Sequence, residues 1–199
     1  MIAILDYGAG NLRSVENTLQ SLGAAYEIVR EPAGLGRAAR IILPGVGHFG
    51  QMMRALDQLE LRTPLLERIR AGVPFLGICL GLQALFESST EAPEVAGLGL
   101  YPGRVERFAP GLRAPHMGWN QLEPNGSPAL LRGLPERPYV YFAHSYYVPE
   151  QVAGRRAAAW VTYGVRYAAA LADGNVFGVQ FHPEKSGPLG QQVVKNFVG

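Results

Sequence analysis

The one cysteine of this 199-residue chain, Cys79, stands between two glycines in Phe75-Leu76-Gly77-Ile78-Cys79-Leu80-Gly81-Leu82-Gln83. A thiol attacks carbon as the thiolate, and a sharp turn from strand into helix lifts it clear of the sheet and favours that form. Val73 to Ile78 reads as the strand and Leu80 to Phe86 as the helix. A lone cysteine in apolar surroundings is ordinarily an inert core residue, but such a residue has no need of a tight turn with flanking glycines. The second fragment, Gly178-Val179-Gln180-Phe181-His182-Pro183-Glu184, carries the other groups a nucleophilic thiol requires. His182 and Glu184 are two residues apart, which on a strand puts them on one face. The imidazole can take the thiol proton and return it to a leaving amine, while the carboxylate fixes its tautomer and stabilises the cation. The plainer reading of the pair is a polar tip at a strand end.

Attack on a carbonyl also needs N–H donors for the oxyanion. The amide of Leu80 is placed for one, and Val46 or Gly47, in Pro44-Gly45-Val46-Gly47, can present a second; one such donor is worth about 100- to 1000-fold in rate. Other chemistries find less support. Gly8-Ala9-Gly10-Asn11-Leu12-Arg13 lacks the third glycine and the acidic partner of a dinucleotide fingerprint. His48, His116, His144 and His182 are scattered without metal-ligand spacing. No phosphate-binding loop occurs, so neither a metal nor a cofactor is expected.

The elements that must position these groups follow from hydrophobic period. Ile2 to Leu5, Ile28-Val29, Ile41 to Leu43 and Val73 to Ile78 read as strands. Leu12, Val15, Leu19 and Leu22 recur at helical spacing with Gly23 as the stop, and Phe49 to Leu61 is a second helix. Thr63-Pro64 reads as a cap and first helical position of a third, closed by Gly72. Beyond about residue 95 the texture turns antiparallel, with runs at Tyr139 to Phe142, Arg156 to Thr162 and Tyr167 to Leu171. Asp173-Gly174 reads as a hairpin turn into Asn175 to Phe181, and Leu189 to Val198 as a closing helix. The expectation is one α/β domain over residues 1–199, a mixed, mostly parallel sheet with helices on both faces and an antiparallel extension.

With 48% hydrophobic and 17% charged residues, the chain can bury a core without disulfides. The net charge of +2, with no basic tract, argues against a nucleic-acid partner. The first residues lack a basic leader, and no apolar run approaches the ~20 residues of a membrane span. A cytoplasmic location, with no membrane partner, is expected.

Taken together, Gly77 to Gln83 with His182-Pro183-Glu184 resembles the triad-type (class I) glutamine amidotransferases, whose fold is flavodoxin-like. Five further stretches, Asp6 to Leu12, Pro44 to Phe49, Pro115 to Asn120, Tyr141 to Tyr147 and Gln180 to Ser186, are similar to one branch of that family. That branch comprises the glutaminase subunits that serve imidazole glycerol phosphate synthesis in histidine biosynthesis.

The resemblance implies that Cys79, His182 and Glu184 hydrolyse glutamine through a thioester, with Gln83, Glu91, Ser145 and Tyr146 holding the substrate. It implies a separate (β/α)8-barrel cyclase as partner in a heterodimer, since the recognisable elements leave no room here for an acceptor domain. Asn11, Met117, Trp119, Asn120 and Lys185 fall in stretches the family places near that partner, although Trp119 is by itself equally a core residue. Two other readings stand beside this one. The same triad serves other acceptors, as in anthranilate or pyridoxal phosphate synthesis, or in a stand-alone γ-glutamyl hydrolase. A catalytically silent interaction module is the third, which an intact triad disfavours.

Overall fold

Short runs rich in Ile, Leu and Val give the first half its strands. The structure is a computed structural model that describes residues 1–199. The chain begins β1 (Ile2–Leu5), α1 (Leu12–Ser21), β2 (Tyr26–Val29), α2 (Pro32–Gly36) and β3 (Arg40–Gly45). It continues with α3 (Phe49–Gln58), α4 (Arg62–Arg70), β4 (Phe75–Cys79) and α5 (Leu80–Gln83). The second half contributes β5 (Phe86–Ser89), β6 (Tyr101–Arg107), β7 (His116–Gln121), β8 (Glu123–Pro124), β9 (Tyr139–His144) and β10 (Tyr146–Tyr147). It closes with α6 (Glu150–Ala153), β11 (Ala157–Tyr163), β12 (Val165–Asp173), β13 (Val176–Val179) and α7 (Gly187–Val198).

Eight strands form one sheet in the order β2-β1-β3-β4-β13-β12-β11-β8. From β2 to β13 every pairing is parallel, and from β13 to β8 every pairing is antiparallel. This is the expected mixed sheet. Strand alternation splits its side chains between two cores. Ala3, Leu5, Ile41 and Leu43 pack with α2, α3 and α4 on one face. Ile2, Ile4, Ile42, Leu76 and Ile78 pack with α1 and α7 on the other. Each fully buried Leu, Ile or Phe contributes roughly 1.5–3 kcal/mol, so both faces must be covered for the sheet to hold its shape.

Three local readings need correction. The helix expected from Thr63-Pro64 starts at Arg62, with Leu61 as an N-cap that makes no side-chain hydrogen bond. Leu61 and Leu65 are both fully buried; their spacing of four demands a helical turn between them. Pro64 is tolerated there because first-turn N–H groups have no partner within the helix. The helix after Cys79 is a single turn, Leu80–Gln83, and Phe86 already belongs to β5. The second half is not wholly antiparallel: β5 runs parallel to β6, and β13 enters the sheet parallel to β4.

Candidate active site

The pairing of β4 with β13 brings the two ends of the sequence together. Val176 to Val179 lie in register with Phe75 to Ile78, so Cys79 and Gln180 leave the sheet side by side. On the other side of β4, β3 pairs Gly45 with Cys79 and delivers the Pro44 to Gly47 loop to the same edge. Ligands bind at this carboxyl edge in open α/β sheets.

Cys79 has φ 53° and ψ −104°, and Glu60 is the only other non-glycine at positive φ. Such a backbone costs on the order of 1–3 kcal/mol and persists only where packing enforces it. The packing is visible at Gly77 and Gly81. A Cβ on Gly81 would collide with the Leu43 carbonyl, and one on Gly77 with the backbone of Gly81. The glycines therefore let β4 and the turn after it press against β3. With only one helical turn behind the thiol, the favourable dipole is short, since the macrodipole sums over aligned peptides.

His182 is 2% exposed, and its Nδ1 lies 2.8 Å from Glu184 Oε1. Asn11 Nδ2 donates to that same oxygen at 3.1 Å. Asn11, expected at a partner interface, thus has its amide on the triad carboxylate. Burial alone would lower the His182 pKa. Hydrogen bonds to Cys79 and Glu184, with the charges of both, outweigh burial and raise it to about 10. The site can therefore hold an imidazolium between thiol and carboxylate at neutral pH. Glu184 Oε2 is buried with no partner.

A cavity of about 190 Å³ opens over Cys79, lined by Val46, Gly47, Leu80, Gln83, Glu91, Ser145 and Tyr146 among others. It is smaller than the roughly 300 Å³ at which pockets for drug-sized ligands begin, a scale suited to one amino acid. A larger cavity of about 630 Å³ lies away from it, between Glu123, Arg166 and the 126–137 segment, and has neither cysteine nor histidine in its lining. The smaller one contains the thiol.

Gln83 Nε2 donates to the Tyr146 carbonyl at 2.8 Å and to Gln180 Oε1 at 3.0 Å. With both amide hydrogens used, Gln83 offers a ligand only its oxygen. Glu91 Oε2 accepts the Phe49 N–H at the start of α3, at 2.7 Å, which turns a loop carboxylate into a fixed wall of the cavity. Of the two oxyanion candidates on the 44–47 loop, the Val46 amide is engaged elsewhere. It donates to Tyr7 Oη at 3.3 Å, and that hydroxyl donates to the Val46 carbonyl at 3.4 Å.

Three of the remaining expected residues share one surface. Met117 and Trp119 on β7 are 65% and 56% exposed, so Trp119 is no core residue. Trp119 meets the Tyr141 ring edge-on, and Lys185 Nζ lies 6.0 Å over the same ring. Tyr141 accepts the His182 N–H through its carbonyl at 2.9 Å, so this surface adjoins the triad. Asn120 turns inward, donating to Thr162 O at 3.1 Å. Two residues near the thiol escaped the sequence reading. Gln180 Nε2 lies 3.5 Å from Cys79 Sγ, and two-residue spacing from His182 was the available signal. Tyr7 carried no signal beyond its place after β1.

The histidines make stability depend on pH in both directions. From about pH 9, where an unfolded imidazole and thiol have both released their protons, up to about 10, the folded chain still holds one on His182, so stability falls as pH rises. His116 and His144 are lowered by burial to about 4 and about 3. Below 6.5 the unfolded chain takes up protons that these two refuse, so stability also falls on acidification. Thermal melts from acid to alkaline pH are expected to peak between these limbs, with at most about 1.4 kcal/mol per pH unit from each group. His182→Gln flattens the alkaline limb alone; an unchanged alkaline slope would contradict the assignment.

Known proteins give this geometry a family. The class-I glutamine amidotransferase family model matches residues 3–199. The chain is 49% identical over 197 residues to the imidazole glycerol phosphate synthase subunit HisH of Desulfitobacterium hafniense, covering 99% of this chain and 93% of that one. It is 46% identical to the HisH subunit of Deinococcus radiodurans, covering 98% and 92%. Among solved structures, a glutamine amidotransferase superposes with TM-score 0.77 at 22% identity, over 98% of this chain and 96% of the other. Thermotoga maritima PurLQS does so with the same score at 20% identity and the same coverage; both show the shared fold. No helix is long and apolar enough to cross a membrane. The chain belongs to the class-I glutamine amidotransferases and, among them, to the HisH subunits of imidazole glycerol phosphate synthase.

Proposed function

We propose that the cavity over Cys79 is where this subunit hydrolyses glutamine, and that the ammonia passes to a (β/α)8-barrel cyclase subunit. There it would complete imidazole glycerol phosphate and aminoimidazole carboxamide ribonucleotide. The observation that carries the reading is the β4–β13 register, which joins the only thiol to a buried His–Glu pair. Cys79 Sγ attacks the side-chain carbonyl carbon of glutamine, forming a C–S bond and an oxyanion. His182 gives its proton to the amide nitrogen as the C–N bond breaks, releasing ammonia and leaving a thioester. The neutral imidazole then takes a proton from water, whose oxygen attacks the thioester. Glutamate departs and the thiolate–imidazolium pair returns.

Glu91, with one oxygen held by Phe49, is placed to pair its other with the substrate α-ammonium group. The Gln83 oxygen accepts a substrate N–H, and Ser145 and Tyr146 contribute backbone groups. Leu80 N–H supplies one oxyanion donor. The second, from Val46 or Gly47, is incomplete while Val46 N–H rests on Tyr7, so partner docking against the Met117, Trp119 and Lys185 surface would turn an amide inward. The cytoplasm is the compartment this biosynthetic role implies.

The test is glutamate release from glutamine by the purified chain, alone and with the cyclase and its nucleotide. A low rate alone that rises in the complex is expected. Tyr7→Phe removes the hydroxyl that holds the Val46 amide, a hydrogen bond worth about 1 kcal/mol, and is expected to raise the rate of the isolated chain about fivefold. An unchanged rate in Tyr7→Phe would remove the latch. Equal wild-type rates alone and in complex would remove the gating and keep the glutaminase.

A further inference from the structure

Beneath the glutamine cavity lies a set of buried polar groups to which the proposed chemistry gives no role. Tyr167 on β12 has no exposed surface, and His116 and His144 are 4% and 5% exposed. Tyr167 Oη lies 2.7 Å from His116 Nδ1 and 3.0 Å from His144 Nε2. His144 Nδ1 lies 2.8 Å from the Tyr146 carbonyl, and Asn120 Nδ2 is 3.4 Å from His116 Nε2.

Both ends of this chain of groups fix its polarity. A carbonyl only accepts, so His144 must carry its proton on Nδ1 and leave Nε2 bare. Tyr167 therefore donates to His144 Nε2. Its oxygen then accepts from His116, which must hold its own proton on Nδ1 and expose a bare Nε2. At the far end, Asn120 Oδ1 accepts the Gln121 N–H at 2.7 Å and its Nδ2 donates to Thr162 O. The amide is thereby oriented to donate toward His116. Each donor meets an acceptor in one sense only, and buried networks satisfied in this way specify a single conformation.

We propose that Asn120, His116, Tyr167 and His144 form a one-directional relay of positioning residues. The relay holds the Tyr146 carbonyl, and through it Gln83 and Gln180, in the geometry that receives glutamine, and ties this wall of the cavity to the ribbon bearing Trp119. The Tyr146 carbonyl accepts from His144 and Gln83 together. Gln83 in turn fixes Gln180, whose amide faces Cys79. Aromatic packing keeps the two imidazoles and the Tyr167 hydroxyl from water, while Asn120 closes the outer end at the surface. His116 stacks on Tyr163 at 4.0 Å and on Phe142 at 4.9 Å, and Phe108 lies 5.5 Å from His144. Burial keeps both imidazoles neutral near pH 7 and pushes the Tyr167 hydroxyl well above its ordinary value, so it remains a donor.

The kinetic consequence rests on the glutaminase reading; the proton positions do not. In ¹⁵N spectra of the full chain near neutral pH, both imidazoles are expected with the proton on Nδ1, the minor form of free histidine. A proton on Nε2 of either ring would overturn the relay whatever the protein hydrolyses. With the synthase partner present, Tyr167→Phe is expected to raise the glutamine KM about tenfold with kcat within about twofold, the mark of lost ground-state positioning. His116→Leu, which keeps an apolar side chain of similar bulk between Tyr163 and Phe142 and deletes the donor, is expected to do the same and serves if Tyr167→Phe is too unstable to purify. An unchanged KM, or kcat falling with kcat/KM, would overturn the positioning role.

Discussion

Replacing Cys79 by alanine is expected to lower glutamate release by about 10⁴-fold or more, because knocking out a triad nucleophile removes nearly all covalent catalysis. Binding should survive, since Glu91 is held by the Phe49 amide and Gln83 by Tyr146, not by the thiol. Glutamine should therefore still raise the melting temperature of Cys79→Ala. The same position tests the turn. At φ 53° an alanine is as strained as the cysteine, whereas glycine is not, so Cys79→Gly should be more stable than Cys79→Ala by about 1 kcal/mol. Chemical denaturation of the two inactive variants measures that difference. Residual turnover above about a hundredth of wild type in either would mean that the nucleophile lies elsewhere.

Gly81→Ala is expected to be nearly as damaging to activity, for a mechanical reason. Its Cβ would overlap the Leu43 carbonyl, a backbone atom in a central strand that cannot swing aside. Either β3 separates from the turn or Cys79 is carried out of reach of His182. Overpacking of this kind costs about 1–3 kcal/mol in stability, and a displacement near 1 Å at the nucleophile costs about 100-fold in rate. Gly36→Ala is the control: it lies at the end of a surface helix, with open space where its Cβ would go, and should leave melting and turnover unchanged. A Gly81→Ala enzyme as active and as stable as Gly36→Ala would show that close packing does not set the elbow.

The triad was legible because its members announce themselves locally. Cys79 has its glycines, and His182 and Glu184 have strand spacing. Joining them required a fact the sequence holds only diffusely. β13 follows β12 by a hairpin, as Asp173-Gly174 indicates, yet pairs on its other edge with β4, a contact across about a hundred residues of chain. The short β2 and α2 were faint because few residues there face a core. Thr63-Pro64 carried a strong cap pattern that the burial of Leu61 and Leu65 overrode. Asn11 shows the limit in the other direction. Family likeness set it near a partner, and its amide also lies on Glu184, a contact that no spacing rule links to position 184. Gln180 offered only its spacing from His182, and the roles of Tyr7 and Tyr167 were invisible for the same reason, each acting through a neighbour distant in the chain.

The most direct test of the central claim is labelling by an electrophilic glutamine analogue, a diazoketone in place of the side-chain amide, mapped by peptide mass spectrometry on the full chain with its partner. The account predicts one adduct, on Cys79, prevented by glutamine and strongly slowed in His182→Asn. Labelling that glutamine does not prevent, or that falls on another residue while Cys79 stays free, would contradict it.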